Sequence, residues 1–238
     1  MSQATEGRRS TAHRFVIAGS RNRWLFPSIV LALLVSLTPA LWASDEEVNE
    51  RDLDTRVRQF LESHRNEWHD LNVPMVDGKV LYDLIVENGY TRALELGTST
   101  GHSAIWIAWA LSKTGGKLTT VEIDEHRYRE ALAKFKEAGL SDHIDARLAD
   151  AHELVPQLEG PFDFIFVDAD KGWYTRYFEM LLPQLETGGC YTAHNVSRRS
   201  GGWAREFLAA LDSTPGLETA VIEPRPGRGI SVSYLRAR

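Results

Sequence analysis

The most constraining feature of this sequence is the alternation of strand-like and helix-like segments from residue 93 onward. Short apolar runs are separated by longer runs in which apolar residues recur at helical spacing. This alternation predicts an α/β fold whose mainly parallel sheet is covered by helices on both faces. The predicted strands are 93–96, 117–123, 144–148, 162–167, 189–193, 218–222 and 230–234. The predicted helices are 47–70, 80–85, 103–111, 125–138, 174–182 and 204–211.

The end of the chain fixes the direction of the last strand. No helix is predicted between 218–222 and 230–234, and the linker EPRPGRG is typical of a turn. The last strand should therefore run antiparallel in an otherwise mostly parallel sheet of seven strands. In such sheets ligands bind at the carboxyl ends of the strands. The loops after the first five strands are thus the expected place for chemistry.

Composition excludes several classes of protein. The 238 residues suffice for one domain and a tail, with 43% apolar and 25% charged residues, as in soluble globular proteins. The single cysteine, Cys190, excludes an internal disulfide framework and a cysteine-based zinc cluster. A net charge of −6 argues against nucleic acid as a partner.

The charge is unevenly divided along the chain. Residues 1–43 hold five arginines and one glutamate, a net charge of +4, which leaves −10 for the remainder. The arginines precede an uncharged stretch at 25–42, the pattern of a cleaved export signal or of a membrane anchor. Either one predicts an exported (periplasmic or extracellular) or membrane-anchored protein, and a wrongly chosen start codon would leave it cytoplasmic. We divide the chain into this segment, a helical extension at 44–72 and a domain at 73–238.

A glycine loop follows the first strand, in the segment ELGTSTGHS at 95–103. Glycines here would end the strand, begin a helix and let a ligand approach the backbone closely. The dinucleotide fingerprint fails because positions 99 and 102 are Ser and His, and no Gly-Lys-Ser/Thr triplet is present for a phosphate loop. The spacing favours a ligand with a charged amino-acid head, and an ordinary strand-to-helix turn is the alternative.

Acidic residues stand at the ends of the next two strands. Glu122 lies 25 residues after Gly97, near the spacing of an acid that accepts ribose hydroxyls. Asp150 could place a carboxylate near an adenine amino group. The alternative for Glu122 is a solvent-exposed acid, and Asp150 alone does not identify a ligand.

The fourth strand ends in Asp168-Ala169-Asp170-Lys171. Hard oxygen ligands at a strand tip favour a divalent cation such as magnesium or manganese. Lys171 could act as a base if burial lowered its pKa. A surface cluster of ion pairs is the alternative.

Residues 73–238 resemble the class I S-adenosylmethionine-dependent O-methyltransferases, in particular the catechol and caffeoyl-CoA group. The resemblance lies in the segments ALELGTSTGHSAIWIA, LTTVEIDEHRY, FDFIFVDADKGWY and GGCYTAHNV, which occur in the family order. It implies a Rossmann-like fold and S-adenosylmethionine (SAM) as the methyl donor.

The resemblance also implies roles for individual positions. The loop 95–101 would hold the methionine part of the donor, and 73–75 would fold over it. Ser103 would help bind its carboxylate, Glu122 the ribose, and residues 150–151 would line the adenine. The positions assigned to the donor are Val73, Met75, Glu95, Gly97, Thr98, Gly101, Ser103, Glu122, Asp150, Ala151 and Asp168.

For catalysis, the resemblance implies that Asp168 is a metal ligand and Lys171 the catalytic base. Asn195 matches a second metal position, but His194 stands where the family has aspartate. An imidazole could ligate a softer metal, act as a base, or leave the site without metal. The expected ligands of a divalent cation (Mg, Mn or other) are Asp168, His194 and Asn195.

Two functions follow as expectations. One is an O-methyltransferase acting on a catechol-like or other vicinal-diol small molecule. Substitution of Asp168 and Lys171 tests this function. The other is a non-catalytic SAM-binding sensor or scaffold with a degenerate metal site. The 47–70 helix could also pack against a partner chain, which would make a homodimer.

Overall fold

The computed structural model describes residues 38–69, 71–199, 201–225 and 228–237. Its centre is one seven-stranded sheet with the order β3-β2-β1-β4-β5-β7-β6. The pairs from β3 across to β5 are parallel, and β7 is antiparallel to both β5 and β6. The predicted sheet, including its antiparallel last strand, is therefore confirmed. The strands are β1 Arg92–Leu96, β2 Lys117–Glu122, β3 Ile144–Leu148, β4 Phe162–Val167, β5 Leu185–His194, β6 Leu217–Arg225 and β7 Arg228–Leu235.

Helices cover both faces of the sheet because its central strands are apolar on both sides. Along β4, Phe164 and Phe166 pack into one core, while Ile165 and Val167 pack into the other. This is the alternation expected of successive side chains in a strand. Helices α1 to α4 contribute to the first core, and α6 and α7 to the second. The helices are α1 Thr38–Ser63, α2 Met75–Asn88, α3 His102–Thr114, α4 Glu125–Ala138, α5 Ala151–Leu154, α6 Tyr174–Leu181 and α7 Trp203–Ser213.

The helix ends follow local capping chemistry. Glycines in the left-handed conformation end α2, α3 and α4. The Asp124 side chain caps α4 by accepting a hydrogen bond from the Arg127 amide. Predicted and observed bounds agree for β3, β4 and α4. They differ for β5, which begins at Leu185, where Leu185 pairs with Phe162 of β4; the register then shifts before pairing resumes between Cys190 and Phe164.

The N-terminal prediction is tested only in part. Helix α1 begins before residue 47 and ends at Ser63, because the chain turns at 64–67. Its residues Val57, Phe60 and Leu61 are buried in the core of this chain. The homodimer itself stays a prediction.

Most of the predicted export or anchor segment, residues 1–37, lies outside the described residues. Within the described residues, no helix is long and apolar enough to cross a membrane. Residues Glu47–Arg238 form one compact unit, which contains every feature discussed below.

Candidate active site

A cavity of about 950 Å³ opens at the carboxyl edge of the sheet. The loops that follow β1, β2, β3, β4 and β5 all contribute to its wall, together with the stretch that leads into α2. This is the expected place for a ligand in a sheet of this topology. The volume is at the upper end of the range for small-molecule sites, roughly 300–1,000 Å³, so the cavity has room for two small ligands side by side.

Gly97 brings the first loop against the fourth. Its φ of +96° lies in the region that favours glycine, and it lines the cavity. A Cβ atom at this position would lie 2.6 Å from the carbonyl oxygen of Asp168. The Asp168 amide also donates to the Leu96 carbonyl at 2.8 Å. The wall of the predicted donor site is therefore in direct contact with the loop that carries the predicted base.

Four of the predicted donor residues lie behind the cavity wall. Glu95, Thr98, Gly101 and Ser103 are not among its lining residues. Glu95 is fully buried and accepts a hydrogen bond from the Thr120 hydroxyl. Burial raises the pKa of Glu95 to about 7. All four belong to the segment 95–103, and their contact with a donor stays a prediction.

Gly101 has a packing role. A Cβ atom there would lie 2.7 Å from the Phe135 ring, so the absent side chain lets α4 pack against the start of α3. Thr98 is also structural, since its hydroxyl hydrogen-bonds that of Thr120.

Glu122 stands at the tip of β2 and lines the cavity. Its carboxylate accepts hydrogen bonds from the amides of Ser99 at 2.6 Å, Ile123 at 3.1 Å and Asp124 at 3.0 Å. A carboxylate has about four acceptor positions, so Glu122 can still accept a bond from a ligand hydroxyl.

Asp150 and Ala151 also line the cavity, next to His152. Asp150 caps α5 by accepting a bond from the His152 amide at 2.8 Å. The His152 ring stacks on Trp173 with the ring centroids 3.8 Å apart. This part of the cavity wall therefore places the His152 ring beside the Asp150 carboxylate.

The segment 73–75 reaches the cavity because a histidine holds its backbone. His102 Nδ1 lies 2.6 Å from the Val73 carbonyl oxygen, and Trp106 Nε1 donates to His102 Nε2 at 3.1 Å. This arrangement requires the neutral ring with its proton on Nδ1. Burial lowers the pKa of His102 to about 4, which agrees with a neutral ring. Val73 and Met75 both line the cavity.

A chain of polar contacts crosses the other end of the cavity. Asp168 Oδ1 pairs with Lys171 Nζ, and Asp168 Oδ2 lies 2.8 Å from His194 Nδ1. On its far side, His194 Nε2 lies 2.9 Å from Asp77 Oδ2, in the first turn of α2. Lys171 Nζ also donates to the Tyr174 hydroxyl at 2.7 Å. The strand tips of β4 and β5 are thereby connected to α2.

His194 is the central residue of these polar contacts. It is 4% exposed, and Asp77 is 1% exposed. Burial alone would lower the pKa of His194, but its hydrogen bonds to Asp168 and Asp77 outweigh burial and raise the pKa to about 9. The ring is therefore an imidazolium at neutral pH, and both of its nitrogens are donors.

The predicted metal ligands do not fit a divalent cation as they are arranged. Metal binding would require a nitrogen lone pair on His194, but each ring nitrogen lies against a carboxylate. Both oxygens of Asp168 are engaged with Lys171 and His194. Asn195 lines the cavity with a φ of +58°. In the part of the chain that the structure describes, no group of three or more His, Cys, Asp or Glu side chains could hold a metal ion.

Three residues with contacts in or beside the site were not identified as site residues from the sequence. Asp77 precedes the predicted helix 80–85, and a single acid near the start of a helix is ordinary. Tyr174 was placed at a helix start, and His102 served only to exclude the dinucleotide fingerprint. Each acts through a contact with a residue 3 to 117 positions away, and the longer separations leave no local signal.

Comparison with known proteins places the chain among methyltransferases. A family model described as O-methyltransferase matches residues 45–202. The chain is 43% identical over 145 residues to a catechol O-methyltransferase of Niastella koreensis, covering 55% of this chain and 65% of that protein. It is 33% identical to a flavonoid 3',5'-methyltransferase of Vitis vinifera, covering 68% of this chain and 71% of that protein.

The matches to curated relatives are partial in length. With caffeoyl-CoA O-methyltransferase 1 of Eucalyptus globulus the identity is 32%, and the match covers 52% of each chain. The chain thus spans between about half and 71% of these three relatives.

Solved structures share the architecture. An O-methyltransferase from Bacillus cereus in complex with SAH superimposes with a TM-score of 0.66 at 26% identity, covering 76% of this chain and 91% of that one. The O-methyltransferase TomG from Streptomyces achromogenes in complex with SAM gives a TM-score of 0.66 at 25% identity, covering 76% and 90%.

Proposed function

The chain belongs to the O-methyltransferase family, and on that premise we propose that it transfers a methyl group from SAM to a hydroxyl of a small, catechol-like acceptor. The observation that carries this proposal is the position of Lys171. Its amine is held by Asp168 and Tyr174 at the wall of the cavity, on the loop that contacts the predicted donor loop at Gly97.

The donor would occupy the cavity beside β1, β2 and β3. The backbone at Gly97 and Ser99 allows a close approach by its methionine part, and Glu122 retains an acceptor position for a ribose hydroxyl. Asp150 and Ala151 would face the adenine. The 73–75 segment, fixed by His102, would cover the donor. The SAH and SAM held by the structural neighbours support this choice of donor.

The acceptor would lie beside Lys171, with one hydroxyl directed at Nζ. In its neutral form Lys171 takes the hydroxyl proton, and the oxygen attacks the methyl carbon of the sulfonium in line. The carbon–sulfur bond breaks as the carbon–oxygen bond forms, and the products are a methyl ether and the demethylated donor. Asp168 and Tyr174 hold Lys171 in place, so most of the rate would come from alignment.

Assistance by a divalent cation, which the family resemblance implies, is not part of this proposal. A cation would act as a Lewis acid on the acceptor oxygens. The side chains expected to bind it are instead bonded to one another through His194, and no step above depends on a metal.

The second candidate function is a SAM-binding protein without turnover. One observation favours it, namely that His194, an expected metal ligand, is bonded to Asp77 and Asp168. The presence of Lys171 beside an open cavity favours the enzyme. Tight donor binding without turnover of any acceptor would decide for the binding protein.

The test is a screen of SAM with a panel of phenols, catechols and other small diols, read by mass spectrometry. We expect a singly methylated ether from at least one acceptor. The variants Asp168→Ala and Lys171→Ala should lose turnover while calorimetry still detects SAM binding to Lys171→Ala. Full turnover of every acceptor by both variants would refute the mechanism, and a wild type that does not bind SAM would refute both functions.

The location of the protein stays a proposal. We infer export or membrane anchoring from the charge pattern of residues 1–43. Fractionation of the native host followed by N-terminal sequencing tests it. Recovery of the intact chain in the cytoplasmic fraction would contradict it.

A further inference from the structure

The position of His194 has a consequence for the acceptor and for metal use. Its ring joins two elements that the fold brings together from distant parts of the chain. Nε2 contacts Asp77 on α2, and Nδ1 contacts Asp168 at the tip of β4. Asp77 begins the helix that directly follows the donor-covering segment 73–75, whereas Asp168 holds the base Lys171.

The number of hydrogen-bond donors and acceptors on the His194 imidazole limits the partners that it can bind. A neutral imidazole has one N–H and one acceptor nitrogen, so only one of two flanking carboxylates could accept a bond from it. With both nitrogens 2.8–2.9 Å from carboxylate oxygens, each nitrogen is placed as a donor. No nitrogen lone pair is then left for a metal.

The groups that could bind a cation here are already bonded to one another. Two largely buried carboxylates, Asp77 and Asp168, are joined through His194, and Asp168 also pairs with Lys171. A divalent cation bound to these carboxylates would compete with those contacts. It would also have to break the His194 contacts, and a buried charge that loses its partner is costly.

We propose that His194 replaces a divalent cation in this chain as a positioning residue, so that methyl transfer proceeds without added metal and needs only one hydroxyl on the acceptor. This inference rests on the proposed function above. Two adjacent oxygens are useful to a site that chelates its acceptor through a metal ion. When Lys171 alone receives the hydroxyl, a monohydric phenol meets the same requirement as a catechol.

The first experiment measures metal binding directly, by electron paramagnetic resonance during titration of the chelator-treated full-length protein with Mn²⁺ in the presence of SAM. We expect no stoichiometric binding by the wild type. The variant His194→Asp should gain a Mn²⁺ site, because three carboxylates and the Asn195 amide form a set of hard oxygen ligands. The matched control is His143→Asp, the same change at the opposite edge of the sheet, where β3 begins.

The second experiment measures turnover in the same samples with and without Mg²⁺ or Mn²⁺. Wild type and His143→Asp should be unchanged by metal and should accept monohydric phenols as well as catechols. Without metal, His194→Asp should lose about 10- to 100-fold in kcat, the range seen when a residue that orients a site group is removed. Added metal should restore it, a response that a merely structural defect would not give.

The outcomes are separable. Stoichiometric Mn²⁺ binding by the wild type, or turnover of catechols alone and only with metal, overturns the inference. If His194→Asp fails to fold, as judged by circular dichroism, the wild-type measurements still decide. If no acceptor is turned over, the proposed function fails, while the Mn²⁺ titration alone supports or overturns the absence of a metal site.

Discussion

Replacement of Gly97 by alanine should damage both folding and catalysis. Gly97 has a φ of +96°, and the new Cβ would lie 2.6 Å from the carbonyl oxygen of Asp168 and 2.8 Å from its carbonyl carbon. Both are backbone atoms, so no flexible side chain can move aside. Relief of the clash requires a shift of the loop that carries Asp168 and Lys171.

The expected loss of stability has two parts. An L-residue in the left-handed region costs roughly 1–2 kcal/mol, and overpacking adds about 1–3 kcal/mol. Gly97→Ala should therefore lose about 2–5 kcal/mol. The variant Gly115→Ala measures the conformational part alone, because Gly115 has a φ of +73° but nothing within 4 Å of an added Cβ. Gly115→Ala should lose only the conformational part, about 1–2 kcal/mol.

Urea denaturation of the two variants measures these losses, and an assay of methyl transfer follows the displaced loop. We expect the Gly97→Ala midpoint to lie well below that of Gly115→Ala, with reduced turnover only in Gly97→Ala. Equal midpoints and equal turnover would show that the contact between the loops after β1 and β4 does not constrain the site.

Three further predictions concern other residues. Burial raises the pKa of Glu95 from 4.5 to about 7. The contribution of Glu95 to the free energy of unfolding is therefore fully present below pH 4.5 and is lost as the pH rises to about 7. Wild type should lose about 3 kcal/mol relative to Glu95→Gln over that interval in urea melts at several pH values, and a constant difference would contradict this. His102→Phe removes the bond to Val73, worth about 0.5–1.5 kcal/mol, so the Kd for SAM in calorimetry should rise up to about tenfold; an unchanged Kd would contradict the role of His102. Asp163→Ala removes acceptors for the amide and hydroxyl of Thr91 and should cost about 1–3 kcal/mol in urea melts, whereas a neutral change would show that this link between β1 and β4 adds nothing.

The fold could be predicted because its signals are local. The apolar run of β4 and the helical spacing of α4 gave bounds that match the structure. The order of the motifs also located the cavity edge, since parallel strands bring their carboxyl ends to one side. The start of β5 at Leu185 was not predicted because glycines at 188 and 189 are typical of a turn, and the strand is irregular there, with a register shift between the Leu185 and Cys190 pairs.

The sequence predicted which loops carry the site residues, but it did not predict the contacts between those residues. Asp168, Lys171 and His194 were identified from their strand tips, and they do lie together. What no pattern could reveal is that Asp77, 117 residues before His194, completes the arrangement. Gly101 has a second role that the sequence did not show, because its missing side chain accommodates the Phe135 ring, while its contact with the donor stays a prediction.

The central claim is that Lys171 is the base of a methyl transfer in this cavity. The most direct test compares kcat and the Kd for SAM in wild type, Lys171→Met and Lys79→Met, the last a control at an exposed lysine paired with Asp83. Loss of a general base should lower kcat about 10²- to 10⁴-fold in Lys171→Met, with the Kd for SAM unchanged and with Lys79→Met like wild type. Equal kcat in Lys171→Met and wild type would contradict the account.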